Sequence, residues 1–526
     1  MKKTQPRLEA SQEVDDRAAE AAVADGTAAS GAGARLEDAY LGAWIAETVL
    51  KGRFVHHCGY GWMAFDGPRW APVAETVVAE EVRKALIELH RSETESGAEP
   101  ARLQQILRML TAAKIRAITY VVKLKLSSEV PFDMNPDLLN AANGVVELRT
   151  GELRPHDPGL MFTKVASANY VPGATHPDWE QALAAVPEDA QDWLQLRMGQ
   201  GITGYPVPDD RLVVFKGSGS NGKTTIVDAI REALGNDYAV TMPDRVLLAR
   251  QGDHPTELMT LRGARLGFME ELPELGHLNA KRLKDLLGTG EMTARYIAKD
   301  TVSWKPTHTP VVTTNYLPRV DESDDGTWRR LVLLDFPYRY RRPGVELLNP
   351  YDRNGDPRLR ERLRAGRGGQ HEAILAWLID GAVQWYQFDR RMPEDPPSVL
   401  QATAVWRKNS DVLSRYADER LVFDPQVQVV ATELFEDFND WLQANGHRPW
   451  SDQSFSARFA QHGEAIANEV AKKRSRRSPT LRLSRRPRGF RATGATPGSP
   501  VPPQFTAWVG IRFQTPDDMD DADDQA

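Results

Sequence analysis

The segment that most constrains this chain is RLVVFKGSGSNGKTTIVDAIREAL, residues 211–234. An apolar strand, Leu212 to Phe215, runs straight into Gly217-Ser218-Gly219-Ser220-Asn221-Gly222-Lys223-Thr224, and a helical pattern begins at once. Strand, glycine spacing, Lys-Thr pair and helix together make a P-loop in the context that motif requires. The glycines let backbone N–H groups curl around phosphate oxygens, Lys223 reaches the β and γ oxygens, and the Thr224 hydroxyl is placed for Mg²⁺. Expected nucleotide contacts are therefore Gly217, Gly219, Asn221, Gly222, Lys223, Thr224 and Thr225, with ATP and Mg²⁺ as cofactors. The fold that follows is α/β, a P-loop NTPase core around a mostly parallel sheet.

A P-loop alone says nucleotide binding; hydrolysis asks for further groups in the next hundred residues. ARLGFMEELPE supplies a short apolar strand ending in Glu270-Glu271, a carboxylate that could complete the Mg²⁺ shell and polarise an attacking water. PVVTTNYLP is an apolar strand ending in Thr314-Asn315, which puts an amide where a third strand of the sheet could orient that water. DDGTWRRLVLLDF presents Arg329 and Arg330 before another apolar strand, a placement from which an arginine could reach a neighbouring subunit's γ-phosphate. One of the two arginines is expected to be structural.

Composition narrows the class. Hydrophobic residues at 41% and charged residues at 26% are ordinary globular values. No apolar run is long enough for a membrane helix, the start MKKTQPRLEASQEVDDR has no apolar core, and a single cysteine, Cys58, fits a reducing cytoplasm. His56, His57 and Cys58 invite a metal reading, which is rejected because neighbours on a strand point to opposite faces and zinc-ligand spacing is absent.

Net charge is only -7, but its distribution is uneven. Lys472 to Arg491 is rich in Lys and Arg without an acid, while the last eleven residues carry six Asp. Residues 1–36, without an aromatic, read as a disordered leader. A mixed domain over 37–177 should hold a hairpin about Asp66-Gly67 and two long helices, the second running from Ala101 through Leu126. The P-loop core is expected over 178–345, a helical extension over 346–420, and a winged-helix-like DNA-binding domain over 421–515 before an acidic tail, 516–526. In that fourth domain, VVATELFEDFNDWLQANG and SFSARFAQHGEAIANEVA read as helices and PPQFTAWVGIRF as a strand.

The order of these pieces resembles the ATPase core of superfamily 3 helicases, AAA+-like, and specifically the phage/plasmid primase-helicase family to which the poxvirus primase-helicase is also similar. The matching runs are GSGSNGKTT, ELPE, KRLKDLLGTGEMTARYIAKDTVSWKP, TTNYLP and GTWRR, with LLNAANGVVELRTGELRPHDP and GYGWMAFDGPRW upstream. The likeness covers roughly Leu36 to Gly446. It implies nucleotide contacts from Gly222, Lys223 and Thr224, a catalytic and Mg²⁺-binding acid at Glu271, a sensor role for Asn315, and an arginine finger from Arg329 or Arg330. The family has a small residue before its acid where this chain has Glu270, which leaves the choice between Glu270 and Glu271 open. Only the 36-residue leader precedes the associated domain, so the expectation is the helicase portion without a primase domain.

The resemblance further implies a ring, a hexamer, moving on single-stranded and forked DNA, with a separate primase as a partner, no membrane and a cytoplasmic location. A hairpin with Lys299 at its tip, between short β-suited runs, should project into the channel, with Arg295 and Lys284 assisting. Two other classes stay open: an origin-binding, melting initiator that recruits a host helicase, and a protein-remodelling P-loop ATPase. Strand displacement on a fork separates the first from a helicase, and ATPase stimulation by single-stranded DNA separates the second.

Overall fold

The computed structural model describes residues 35–248, 255–272, 278–288, 290–295, 301–318, 320, 325–476, 483, 501 and 504–515. The chain divides into two compact units after Tyr170. This lies upstream of the expected boundary at 178, because Asn143 holds Tyr170 to the first unit: its Nδ2 donates to the Tyr170 carbonyl at 2.9 Å and its Oδ1 accepts the Tyr170 N–H at 2.8 Å. Residues 1–34 of the expected leader and the acidic tail, 516–526, lie outside the described residues.

In the first unit, β1 (Phe54–His57), β2 (Gly61–Phe65) and β3 (Trp70–Pro72) form an antiparallel meander, and the short β4 (Ser127–Ser128) adds parallel to β1. The Asp66-Gly67 turn joins β2 to β3, with Asp66 Oδ1 accepting the Arg69 N–H at 2.9 Å. A second turn at residues 58–60, not read from the sequence, joins β1 to β2. His56 packs edge-on to Trp62 while His57 meets Tyr60 and Phe132, so the two imidazoles belong to different aromatic clusters. A separate antiparallel sheet comprises β5 (Leu138–Ala141), β6 (Gly144–Glu147) and β7 (Glu152–Arg154). Helix Glu75–Glu95 is as expected, but the second long helix is two, Pro100–Met109 and Ala112–Lys125. Thr111 makes the break: its backbone is extended rather than helical, and its side chain accepts the Lys114 N–H at 3.4 Å as an N-cap.

The second unit is built on a five-stranded sheet of β8 (Leu212–Lys216), β9 (Ala239–Thr241), β10 (Leu266–Glu270), β13 (Thr309–Thr314) and β14 (Leu331–Asp335), in the order β14-β8-β13-β10-β9 with every pair parallel. Leu212, Val213, Val214 and Phe215 are fully buried, as a strand covered on both faces must be. Between β10 and β13 lie β11 (Met292–Ala294) and β12 (Val302–Trp304), paired antiparallel. Beyond the sheet, β15 (Arg339–Arg341) pairs parallel with β16 (Asp352–Asn354). Helices Gln191–Gly201 and Gln370–Gln387 cross so closely at two glycines that a Cβ on Gly199 would lie 2.2 Å from the Gly381 carbonyl carbon.

The chain ends in a small module whose order is helix Val412–Arg420, β17 (Leu421–Val430), helices Ala431–Ala444, Asp452–Ala460 and Gly463–Ala467, β18 (Ala471–Arg476) and β19 (Gln504–Phe513). The strands pair antiparallel in the order β17-β19-β18 around an aromatic core in which Phe438 stacks on Phe455 at 4.7 Å. Two details differ from expectation. The helix read over SFSARFAQHGEAIANEVA is broken at Gln461-His462, and β17 was not foreseen, because Pro425 sits in the bulge between Phe423 and Gln428 where no ladder N–H is needed.

Candidate functional site

The carboxyl ends of parallel strands are where α/β sheets place ligand crevices, and the site lies there. From the end of β8 the chain turns through Gly219 (φ 93°), Ser220 (φ 52°) and Gly222 (φ 90°) before helix Lys223–Tyr238 begins. Left-handed backbone at Gly219 and Gly222 explains why glycine occupies both. Gly222 also has no room for a side chain, since a Cβ there would lie 2.6 Å from that of Ala185. The loop is fixed from two sides: Gly217 N–H donates to Thr314 O at 3.3 Å, and Tyr340 N–H donates to Ser220 O at 2.8 Å.

This loop encloses one side of a polar cavity of about 360 Å³ lined by Gly219, Asn221, Gly222, Lys223, Thr224, Thr225, Glu271, Thr313, Thr314, Asn315 and Arg360, together with Ser220. Lys223 is buried, and its Nζ donates to Gly217 O at 2.6 Å, Asn315 Oδ1 at 3.1 Å and Asn221 Oδ1 at 3.4 Å. Burial, reinforced by Lys216, pushes its pKa down to about 8 against the opposing pull of Asp335 and Glu271. The Asn221 Nδ2 is buried without a partner among the described residues. A cationic ammonium, that spare donor and left-handed glycines suit an anionic, phosphate-like ligand, and Thr224 with Glu271 offers the oxygen donors that Mg²⁺ takes.

The backbone places the two glutamates differently. Glu270 ends β10 and pairs with Arg231 at 2.5 Å, outside the cavity. Glu271 has φ 53° while its N–H still donates to Thr313 O at 2.9 Å, and this left-handed turn puts it in the cavity wall. Of the residues expected at the nucleotide, all line the cavity except Gly217, which contributes its carbonyl to Lys223.

Arg329 and Arg330 are not brought to the cavity. β14 and β8 are in register from Leu331↔Leu212 to Asp335↔Lys216, so the arginines stand at the amino end of β14, roughly 13–16 Å of strand from the loop. Arg330 is structural: only 11% of its side chain is exposed, its Nη1 donates to Gly326 O at 2.5 Å, and Asp210 lies 3.7 Å away. Arg329 is exposed. Lys284, on helix Ala280–Gly288, is half-buried and Arg295, after β11, is exposed, whereas Lys299 lies outside the described residues. Of the basic stretch, Arg474 and Arg476 lie exposed on β18, and Arg477, Arg485 and Arg486 fall outside the described residues.

Sequence reasoning missed Arg360, Thr313 and the neighbouring apolar cavity. That cavity, of about 240 Å³, is walled by Ala182, Ala185, Tyr340, Pro343 and Leu359, and it shares Ser220, Gly222, Thr225 and Arg360 with the polar one. Thr313 adjoins the Thr314-Asn315 pair that the sequence does flag.

Residues 34–186 match a family model described as D5 N terminal like, and residues 215–330 one described as a family of unknown function, DUF5906. The chain is 28% identical over 337 residues to an African swine fever virus protein named as a primase, covering 60% of this chain and 34% of that one. It is 30% identical over 251 residues to a frog virus 3 protein named as a helicase, covering 45% of this chain and 25% of that one. The NrS-1 C terminal region, solved without ligand, aligns over 82% of this chain and 86% of that one at 12% identity and a TM-score of 0.42. These likenesses are all to the phage and viral primase-helicase family. The chain spans about a third or less of the length of these two viral relatives.

Proposed function

We propose that this chain is a P-loop ATPase, of superfamily 3 type, that drives a ring-forming DNA helicase in the replication of a phage, plasmid or integrated element. The observation that carries the reading is the convergence of Lys223, Thr224, Glu271 and Asn315, from the ends of three parallel strands, on one polar cavity. Phosphoryl transfer asks a protein chiefly for positioning and charge stabilisation. Lys223 exchanges its Gly217 carbonyl and Asn315 contacts for phosphate oxygens, and Asn315, released, orients the attacking water. Thr224 and Glu271 would hold Mg²⁺, which supplies neutralisation of the phosphate charge when bound. Glu271 positions the water and accepts its proton.

An arginine at the far end of the sheet serves such a site only from another copy, which favours Arg329 as a finger in trans and a ring, a hexamer, as the assembly. The alternation of helices and three antiparallel strands over 412–513 supports a winged-helix-like DNA-binding module. Lys299, in the segment between β11 and β12, is the residue proposed to follow a DNA phosphate, with Arg295 and Lys284 beside it in sequence. The same module favours one second reading, an initiator that binds and melts origin DNA for another helicase.

The test is ATPase activity of the assembled protein with and without single-stranded and forked DNA. Turnover that rises on adding DNA, and that falls at least 100-fold in Lys223→Ala, roughly the loss of one preorganised contact, is expected. A Lys223→Ala protein turning over like the parent refutes the ATPase reading, and stimulation without displacement of a forked strand transfers the assignment to the initiator.

A further inference from the structure

Arg360 lies in the first turn of helix Leu359–Ala365, and with Lys223 it is one of two cationic side chains lining the polar cavity among the described residues. It also lines the apolar cavity, where Lys223, Asn315 and Glu271 do not reach. It thus stands at the waist between the two. Its Nε donates to Asp228 Oδ2 at 2.8 Å, and its Nη2 lies 2.7 Å from the same oxygen. Asp228 is one helical turn beyond Thr224 on the same helix.

As a staple between two helices this ion pair is weak, since half of the Arg360 side chain is exposed and such pairs contribute roughly 0–1 kcal/mol. Its cost of opening is reduced further by Arg364, whose Nε lies 4.0 Å from the same Asp228 oxygen and stays with the carboxylate when Arg360 leaves. A guanidinium fork that satisfies a carboxylate also fits phosphate oxygens.

Building on the nucleotide-binding reading above, we propose that Arg360 is a positioning residue acting in cis, which gives up Asp228 for the phosphate nearest the base when a nucleotide spans the two cavities. The base then occupies the apolar cavity against Tyr340, and the terminal phosphate lies with Lys223. Asp228 is the holding partner that sets how readily the arginine is released.

The two halves of one ion pair should then shift affinity in opposite directions. The measurement is equilibrium titration of the full chain with a fluorescent ADP and with a non-hydrolysable ATP analogue, in magnesium. Arg360→Ala should weaken both ligands equally, by roughly 10- to 100-fold for the loss of a charge-assisted contact, with Arg360→Lys recovering part of it. Lys223→Ala should instead cost the ATP analogue more than ADP. Asp228→Asn should tighten both ligands by roughly two- to five-fold, the worth of a half-exposed ion pair, and should do so only while Arg360 is present. Melting temperatures without nucleotide monitor folding, and if Arg360→Ala fails to fold, Arg360→Lys with Asp228→Asn carries the test. Weakened binding in both Arg360→Ala and Asp228→Asn, or tightening by Asp228→Asn that persists in the double variant, overturns the hand-over. Normal binding by Lys223→Ala would instead remove the nucleotide reading itself.

Discussion

Two adjacent glutamates with different backbones should give two very different enzymes when each loses its charge. In Glu271→Gln the shape is kept and the carboxylate that lines the cavity becomes an amide, unable to take a proton from water. General-base catalysis contributes about 10²–10⁴-fold, so turnover should fall by that factor while nucleotide still binds. Glu270→Gln touches nothing in the cavity. It removes a pair with Arg231 in which 42% of the glutamate side chain is exposed, and Arg231 keeps its 2.7 Å hydrogen bond to Thr241 Oγ1. That costs at most about 1 kcal/mol of stability and should leave turnover within about two-fold. A third variant tests the backbone argument: Glu271→Gly relieves a left-handed φ of 53°, worth of order 1 kcal/mol, and should stabilise the fold while losing turnover as Glu271→Gln does. Steady-state ATPase, equilibrium nucleotide titration and chemical denaturation read the three effects separately. Equal losses of turnover in Glu270→Gln and Glu271→Gln, or a reversed order, would refute the assignment.

Two histidines of the second unit should give its stability opposite pH slopes. His308 is buried with neither ring nitrogen partnered among the described residues, and burial pushes its pKa down to about 4. The unfolded chain then takes a proton below about 6.5 that the fold refuses, so about 3 kcal/mol should be lost between pH 6.5 and 4 and recovered in His308→Phe, as read by denaturant midpoints. Burial also opposes charge on His462, but the Asp411 carboxylate 3.0 Å away outweighs it and raises the pKa. That contribution is complete below about 6.5 and lost as pH rises through the folded value, and Asp411→Asn should flatten this alkaline limb. Arg329→Ala should bind nucleotide yet hydrolyse it poorly, and mixing with Lys223→Ala should restore some activity at hybrid interfaces; no recovery in assembled mixtures would exclude the trans role. Arg330→Ala should instead lower the melting temperature, because it removes a nearly buried guanidinium that donates to the Gly326 carbonyl and lies beside Asp210.

The glycine turn between β8 and its helix was legible because its residues are neighbours in sequence: glycines where φ is positive, then Lys223 and Thr224 opening a helix. β10, β13 and β14 were legible for a similar reason, as short apolar runs with no period, the mark of strands buried on both faces. The different placement of Glu271 and Glu270 was not, because it depends on one backbone angle that no residue type announces. Arg360 was invisible because its place beside Thr225 exists only after helix Leu359–Ala365 is laid against helix Lys223–Tyr238, and LRERLRAGRGG reads as an ordinary charged surface. The split at Thr111 shows the reverse case. The helical periodicity of its neighbours masks the break at Thr111, although its hydroxyl suits it to start a helix rather than continue one.

The glycine loop and the exposed Arg329 stand at opposite ends of parallel, adjacent strands, as a socket and a plug would. If Arg329 serves a neighbour's site, the surfaces that meet are different on the two copies, so each added copy leaves a fresh socket open and only closure into a circle uses them all. Specific activity would then report assembly directly. Dilution should silence the enzyme before it unfolds, and a copy lacking Arg329 should disable its neighbour's site while its own continues to fire.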